Sequence, residues 1–228
     1  MKAVYNEMLM PSLMFFLRGK KVISISGSGG KTTLMIALGD YFENRGEHTL
    51  ITTTTHLSNQ ENYGKADLFV ENDDNNKYRC PGEKEIVKKL SDYDRVLIEA
   101  DGSRRLPLKY HTSRDPVIIK ETDVVLSVIG LSALGSKIDR VLFGVENYRT
   151  DTNDKSELVT LDTIKSLINE KEGVLKGTDG HSNFIVLNQA DLLTPEGVEE
   201  VNTLMFKLQK NYLLISLSEK KLYAGVVF

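Results

Sequence analysis

Val22-Ile23-Ser24-Ile25-Ser26-Gly27-Ser28-Gly29-Gly30-Lys31-Thr32-Thr33-Leu34 is the stretch whose reading decides the fold. Its first residues form a short apolar strand with β-branched positions, Gly27 to Gly30 a glycine-rich turn, and Lys31-Thr32-Thr33 the opening of a helix. Small residues let the backbone curl so that successive N–H groups face one point. The helix behind adds free donors and a partial positive charge. This layout cradles phosphate. Lys31 is placed to reach terminal phosphates and to act in catalysis, and the Thr32 hydroxyl to complete the coordination of Mg²⁺. Gly27, Ser28, Gly29, Gly30, Lys31, Thr32 and Thr33 are the expected phosphate-binding residues, and a nucleoside triphosphate is the expected ligand.

The full phosphate-loop pattern would have glycine at position 25, where this chain has Ile25. What remains, Gly27-x-x-Gly30-Lys31-Thr32, is a tighter loop of the kind seen in Mur ligases. Its context agrees: Ile23 and Ile25 precede the turn, and Leu34, Ala37, Leu38, Tyr41 and Phe42 recur at helical spacing before Gly46.

Further apolar runs read as buried strands: Thr49–Thr53, Leu68–Val70, Val96–Ile98, Val117–Ile119, Val124–Ile129, Phe184–Leu187 and Tyr212–Ile215. Helical patterns over Glu83–Leu90, Leu161–Ile168 and Val198–Leu208 lie between them, the last started by Thr194-Pro195. The alternation predicts a three-layer, phosphate-loop NTPase-like α/β fold with a mainly parallel sheet and helices on both faces. Ligands then gather at the carboxyl ends of the strands. Residues 1–228 read as a single domain, with a small insertion or mobile region around 136–160. Glu71–Lys77 and the polar run Asn147–Ser156 read as surface loops.

Composition narrows the function. A net charge of −3 gives no global attraction for nucleic acid. The apolar run Met8–Leu17 is interrupted by Pro11 and falls short of the ~18–20 residues that span a bilayer, so it reads as a helix or strand capping the core. Cys80 is the single cysteine, which excludes an internal disulfide and points to a reducing, cytoplasmic setting.

Two more motifs follow strands. Val96-Leu97-Ile98-Glu99-Ala100-Asp101-Gly102-Ser103 ends an apolar run in acids, as the acidic arm of a phosphate-loop site does. Glu99, at the strand end, is the expected Mg²⁺ ligand beside Thr32. Asp101 is the expected residue that positions water or senses the terminal phosphate, with metal ligand or base as alternatives. Arg104, Arg105 and Lys109 follow, and Arg104 is the expected cation for transition-state charge. Leu187-Asn188-Gln189-Ala190-Asp191 resembles the Asn-Lys-x-Asp of GTPases with Gln for Lys. Asn188 and Asp191 are the expected base-binding pair. Thr52-Thr53-Thr54-Thr55-His56 ends another strand near the same place.

Taken together, Gly-Gly-Lys-Thr-Thr, Thr-Thr-Thr-Thr-His and Glu-Ala-Asp-Gly-Ser-Arg-Arg-Leu-Pro-Leu-Lys resemble the YqeC family of selenium-dependent molybdenum hydroxylase accessory proteins. Asp115-Pro116-Val117-Ile118, the Val128–Gly135 segment and Leu187–Asp191 extend the resemblance over roughly 19–192. In place of the family's Val-His-Arg element the chain has Asp139-Arg140-Val141-Leu142-Phe143-Gly144. The motifs lead to a Mg²⁺-dependent nucleoside triphosphatase for GTP or ATP. The resemblance implies a role in maturing a selenium-dependent molybdenum hydroxylase, with that enzyme or its cofactor-maturation proteins as partners. A phosphoryl or nucleotidyl transferase or Mur-like ligase acting on a small acceptor uses the same residues, and so does a nucleotide-binding scaffold without turnover.

Overall fold

The computed structural model describes residues 2–73, 77–148 and 157–228. Its frame is a nine-stranded sheet. In chain order the strands are β1 (Lys2–Met8), β2 (Val22–Gly27), β3 (Thr49–Thr53), β4 (Asp67–Leu68), β5 (Arg95–Glu99), β6 (Val124–Gly130), β7 (Ser182–Asn188), β8 (Tyr212–Ser216) and β9 (Lys221–Val227). Across the sheet the order is β1-β9-β8-β7-β6-β2-β5-β3-β4. Neighbours from β8 to β4 are all parallel. β9 and β1 close the other edge antiparallel. Strand β2, which leads into the Gly27–Gly30 turn, sits centrally, between β6 and β5.

Period-two alternation explains the layers. On β2, Ile23 and Ile25 pack beneath α1 (Leu9–Phe16) and α2 (Lys31–Glu43), whose Leu13, Leu34, Leu38 and Phe42 are buried there. Val22 faces the other way, toward Ile86 of α3 (Glu83–Lys89). On β7, Phe184 and Val186 join the first layer. Ile185 and Leu187 meet Ile164 and Leu167 of α4 (Leu161–Asn169) and Val201 and Met205 of α5 (Pro195–Leu208). Strands covered on both faces must be apolar on both, which is why they read as continuous hydrophobic runs. The fold is therefore the expected α/β sandwich of a mainly parallel sheet between helices.

Local chemistry sets the helix ends. The Thr194 hydroxyl accepts from the Gly197 N–H at 3.1 Å, and Pro195 occupies the first helical position, where no N–H is needed. Pro11 lies in the first turn of α1 and is tolerated for the same reason. The apolar run Met8–Leu17 is thus a capping helix. No helix among the described residues is long and apolar enough to cross a membrane.

Three readings change. Val117–Ile119 is not a strand. The Val117 N–H bonds the Ala100 carbonyl at 2.9 Å, the Val117 carbonyl accepts from the Thr54 hydroxyl at 2.6 Å, and Ile119 is buried beside Ile98. That segment is apolar because it lies over the ends of β3 and β5. Glu71–Lys77 is not simply a loop, since Glu71–Asp73 pairs antiparallel with Lys77–Arg79, which pairs with His56–Ser58 in a separate small sheet. Only Asp67–Leu68 of the expected strand Leu68–Val70 pairs regularly, although the Phe69 N–H still bonds the Ile51 carbonyl at 2.9 Å. Within the expected insertion, Ile138, Leu142 and Val159 are buried in the second core layer. The 149–156 part of the expected polar loop lies outside the described residues.

Leu38 is fully buried. Leu38→Ala is expected to cost about 2–5 kcal/mol, whereas Thr194→Ala costs about 1 kcal/mol through the lost cap. Urea unfolding of the two variants checks the ranking, and equal losses would contradict this placement of the core.

Candidate functional site

Gly27, Gly29 and Gly30 have φ of 86°, 90° and 121°. A Cβ on Gly27 would lie 2.3 Å from the Val128 carbonyl oxygen, and one on Gly29 would lie 2.3 Å from Gly130. The short loop therefore packs directly on the end of β6, and only glycine permits both the dihedrals and the contact. The Ser28 N–H bonds the Val128 carbonyl at 2.8 Å, and the Ser28 hydroxyl donates to the Leu106 carbonyl. The first intrahelical bond of α2 runs from Leu34 N–H to Gly30 C=O, so the N–H groups of Lys31 to Thr33 precede the ladder. Ile25 is fully buried in β2 beneath the helices.

Beneath the loop lies a buried charge network. Asp101 is wholly buried, and its Oδ2 accepts from the Gly27 N–H at 2.9 Å and meets the His111 Nε2 at 2.8 Å and the Lys109 Nζ at 3.2 Å. Its Oδ1 lies 3.1 Å from the Lys31 Nζ, an ion pair without hydrogen-bond alignment. Lys31, 5% exposed, also donates to the Gly27 carbonyl at 2.6 Å. Lys109 continues to Asp115 and to the Gly102 carbonyl. The His111 Nδ1 reaches the Gly173 carbonyl at 2.7 Å. Burial pushes the Asp101 carboxyl up, but Lys31, His111 and Lys109 outweigh it and hold the group well below the usual carboxylate range. Burial pulls Lys31 down, and the charges of Asp101 and Glu99 more than offset that, leaving it raised.

Glu99 closes β5 facing the helix start. Its Oε2 accepts from the Thr32 hydroxyl at 3.2 Å. Adjacent oxygens of an octahedral Mg²⁺ with ~2.1 Å bonds lie about 3.0 Å apart, so this pair is spaced to share one ion. Burial pushes the Glu99 carboxyl up to about 7, and Asp101 adds repulsion that Lys31 partly offsets. Among the described residues no three His, Cys, Asp or Glu side chains cluster to hold a metal by themselves. A cation here would depend on ligand oxygens and water for the rest of its shell.

These groups line one side of a cleft of about 810 Å³. Gly29 to Thr33 form its floor, with Glu99, Thr55, His56, Arg104, Arg105 and Gln189 around it. Arg104 lies over the Phe143 ring at 5.5 Å, and Arg105 pairs with Glu61 at 3.1 Å. Thr52, Thr53 and Thr54 give their hydroxyls to the carbonyls of Phe69, Glu99 and Val117, so only Thr55 and His56 of that run face the cleft. Cys80 is a half-buried thiol, pushed up by burial and accepting from the Gly82 N–H at 3.2 Å.

Asn188 is brought to the loop. Its amide donates to the Gly29 carbonyl at 2.9 Å and its oxygen accepts from the Leu217 N–H at 3.2 Å. Gln189 adopts a left-handed φ of 70° and accepts from the Ser132 N–H at 3.3 Å. Asp191 stands outside the cleft lining, accepting from the Ser218 hydroxyl at 3.1 Å through Oδ2. Its Oδ1 is buried and has no hydrogen-bond partner among the described residues. His111 was not foreseeable from a motif, because its partners Asp101 and Gly173 flank it at unrelated sequence distances.

The family model for the YqeC protein matches residues 23–146, and the chain belongs to that family. A relative from Escherichia coli (strain K12), "Uncharacterized protein YqeC", is 30% identical over 51% of this chain and 54% of its own length. The chain thus spans about half the length of the curated relative it matches. No solved structure matches it.

Asp101→Asn removes the charge that the buried Lys31 and Lys109 share, and breaking such a pair costs about 3–5 kcal/mol. Denaturant unfolding of this variant is expected to show a loss of that size. A change below about 1 kcal/mol would mean that the loop is held some other way.

Proposed function

We propose that this YqeC-family chain is a Mg²⁺-dependent nucleoside triphosphatase that assists maturation of a molybdenum-containing hydroxylase. The observation that carries the reading is the loop Gly27–Gly30 curled at the carboxyl edge of the sheet, with Lys31 behind it and the Thr32–Glu99 pair beside it. Free N–H groups at the start of α2 suit the phosphate oxygens. Lys31 rests on Asp101 and the Gly27 carbonyl, and a terminal phosphate offers it a competing charge. Asp101 is wholly buried behind the cleft lining and pairs with Lys31, so its part is to sense whether Lys31 is engaged. Mg²⁺, held by Thr32 and Glu99, would neutralise charge on the outer phosphates. Arg104, at the cleft wall, is the cation available to charge developing there. The maturation role rests on the family resemblance.

GTP is favoured over ATP by one feature. The Asp191 Oδ1 is a buried carboxylate oxygen lacking a donor, which is costly unless a ligand supplies one. A guanine offers two N–H groups to such a carboxylate. Asn188 supports this indirectly, since its amide is committed to the loop and to Leu217 and fixes their spacing.

Titration with fluorescent GTP and ATP analogues, with and without Mg²⁺, is the test. Saturable Mg²⁺-dependent binding is expected, weakened at least about a hundredfold in Lys31→Ala, as for loss of a charged phosphate contact. Glu99→Gln is expected to retain the nucleotide and lose the Mg²⁺ response. Asp191→Asn is expected to weaken GTP selectively. Binding unchanged in Lys31→Ala would overturn the reading.

A further inference from the structure

We infer that the cleft takes a second ligand, a small molecule carrying a carboxylate or phosphate group, bound by Lys77 and Arg105 on the side of the phosphate loop away from Gln189. This inference rests on the nucleotide reading for the loop itself.

Sheet order defines the two sides. Residues that follow β6 and β7, Ser132 and Gln189, lie on one side of the central β2. Residues that follow β3, from Thr55 to Glu61, lie on the other. On the proposed reading Asp191 sets the base on the first side, so a group reaching past the terminal phosphate enters the second. That side has a wall of its own: the small sheet of His56–Ser58, Lys77–Arg79 and Glu71–Asp73, which takes no part in the main sheet. Its edge contributes His56, Leu57, Ser58 and Lys77 to the cleft. The whole cleft, about 810 Å³, is in the upper part of the range for ligand pockets.

The charges on this side call for an anion. Lys77 and Arg105 line it with Glu61 and, at the end of β5, Glu99 as the acidic counterparts; Asp73 lies opposite Lys77 in the small sheet, but Lys77 makes no ion pair among the described residues. Lys31 is already held by Asp101. Arg105 meets Glu61 through a single Nη2 to Oε1 contact at 3.1 Å, with the two side chains 74% and 40% exposed. An exposed pair with one contact is among the weakest ion pairs, whereas a guanidinium can grip a carboxylate or phosphate through two. Glu61 therefore occupies the place of a ligand's anionic group and yields to it. The backbone supports this. Arg104 and Arg105 are consecutive non-glycine residues at φ of 50° and 63°. Such dihedrals are disfavoured and persist where the surroundings hold them, often at binding sites. Here they set Arg104 against Phe143 and aim Arg105 across the cleft mouth at Glu61.

The test is a two-dimensional amide NMR titration of the full chain with malonate, and separately with inorganic phosphate, followed by the nucleotide analogues. Malonate is expected to shift the amides of Ser58, Gln60, Lys77 and Arg105 and to leave Gly29 to Thr33 in place. Lys77→Ala and Arg105→Ala should each weaken it about tenfold, the loss of one charge-assisted contact. Lys31→Ala should leave it unchanged, and Glu61→Gln should tighten it by removing the competitor. Phosphate at the second site should respond to Lys77→Ala, and phosphate in the loop to Lys31→Ala. Shifts confined to Gly29–Thr33, or shifts that survive both Lys77→Ala and Arg105→Ala, would overturn the inference. Nucleotide binding without a malonate response sinks this inference alone. A malonate response without nucleotide binding upholds the anion site and sinks the nucleotide reading.

Discussion

The Gly27–Gly30 loop depends on one buried carboxylate. Asp101 accepts the Gly27 N–H, faces Lys31 and is itself held by Lys109 and His111. A carboxylate and two ammonium groups without water would be prohibitively costly as separate ions. Together, with Asp115 on the far side of Lys109, they neutralise one another. Such an arrangement is weak as a source of stability and strong as a constraint, because removing any one member strands the others. It fixes where β5 ends, where α2 begins, and how far Lys31 extends.

That constraint accounts for the shortness of the loop. In a longer phosphate loop the backbone wraps around the anion before entering the helix. Here the Gly27 N–H is taken by Asp101 and the Ser28 N–H by Val128, so the turn is spent on docking against β5 and β6. Position 25 stays in the sheet, where an isoleucine fills the layer beneath α1 and α2. The donors available to a ligand therefore start at Gly29 and come mainly from the helix.

Much of this could be read from sequence, and what could not has physical reasons. The strand–glycine–lysine stretch, the acids after β5 and the Thr194-Pro195 helix start carry local signals, and the central parallel strands announce themselves as apolar runs. β1 and β9 do not. They form an antiparallel edge, and Gly225 interrupts β9, where a Cβ would come 2.6 Å from the Phe16 ring. Val117–Ile119 misleads in the opposite sense, being apolar because it is buried while bonding to strand ends instead of to a strand. His111 shows a further limit. Its importance comes from a contact to Gly173 that a sequence pattern does not encode. The short strands around Lys77 are polar and mostly exposed, so alternation of hydrophobicity could not find them.

Asn188 links the Gly27–Gly30 loop to the segment that follows β8. In the motif it resembles, an asparagine is read as a base contact. In this fold its amide spans the Gly29 carbonyl and the Leu217 N–H, 4% exposed. A Cβ on Gly30 would sit 2.4 Å from that amide nitrogen, so the glycine and the asparagine require each other. The loop that bears Ser218, and with it Asp191, is thereby tied to the phosphate loop through one side chain. Gly29–Thr33 and Asp191 are thereby held at a spacing that one side chain sets. On the proposed reading a terminal phosphate beside Lys31 would compete with Asp101. Displacing Lys31 removes a cation from the Asp101–Lys109–His111 network, whose other end rests on the Gly173 carbonyl. Under that reading, occupancy of the cleft would reach Gly173, beyond α4, through the charge network alone.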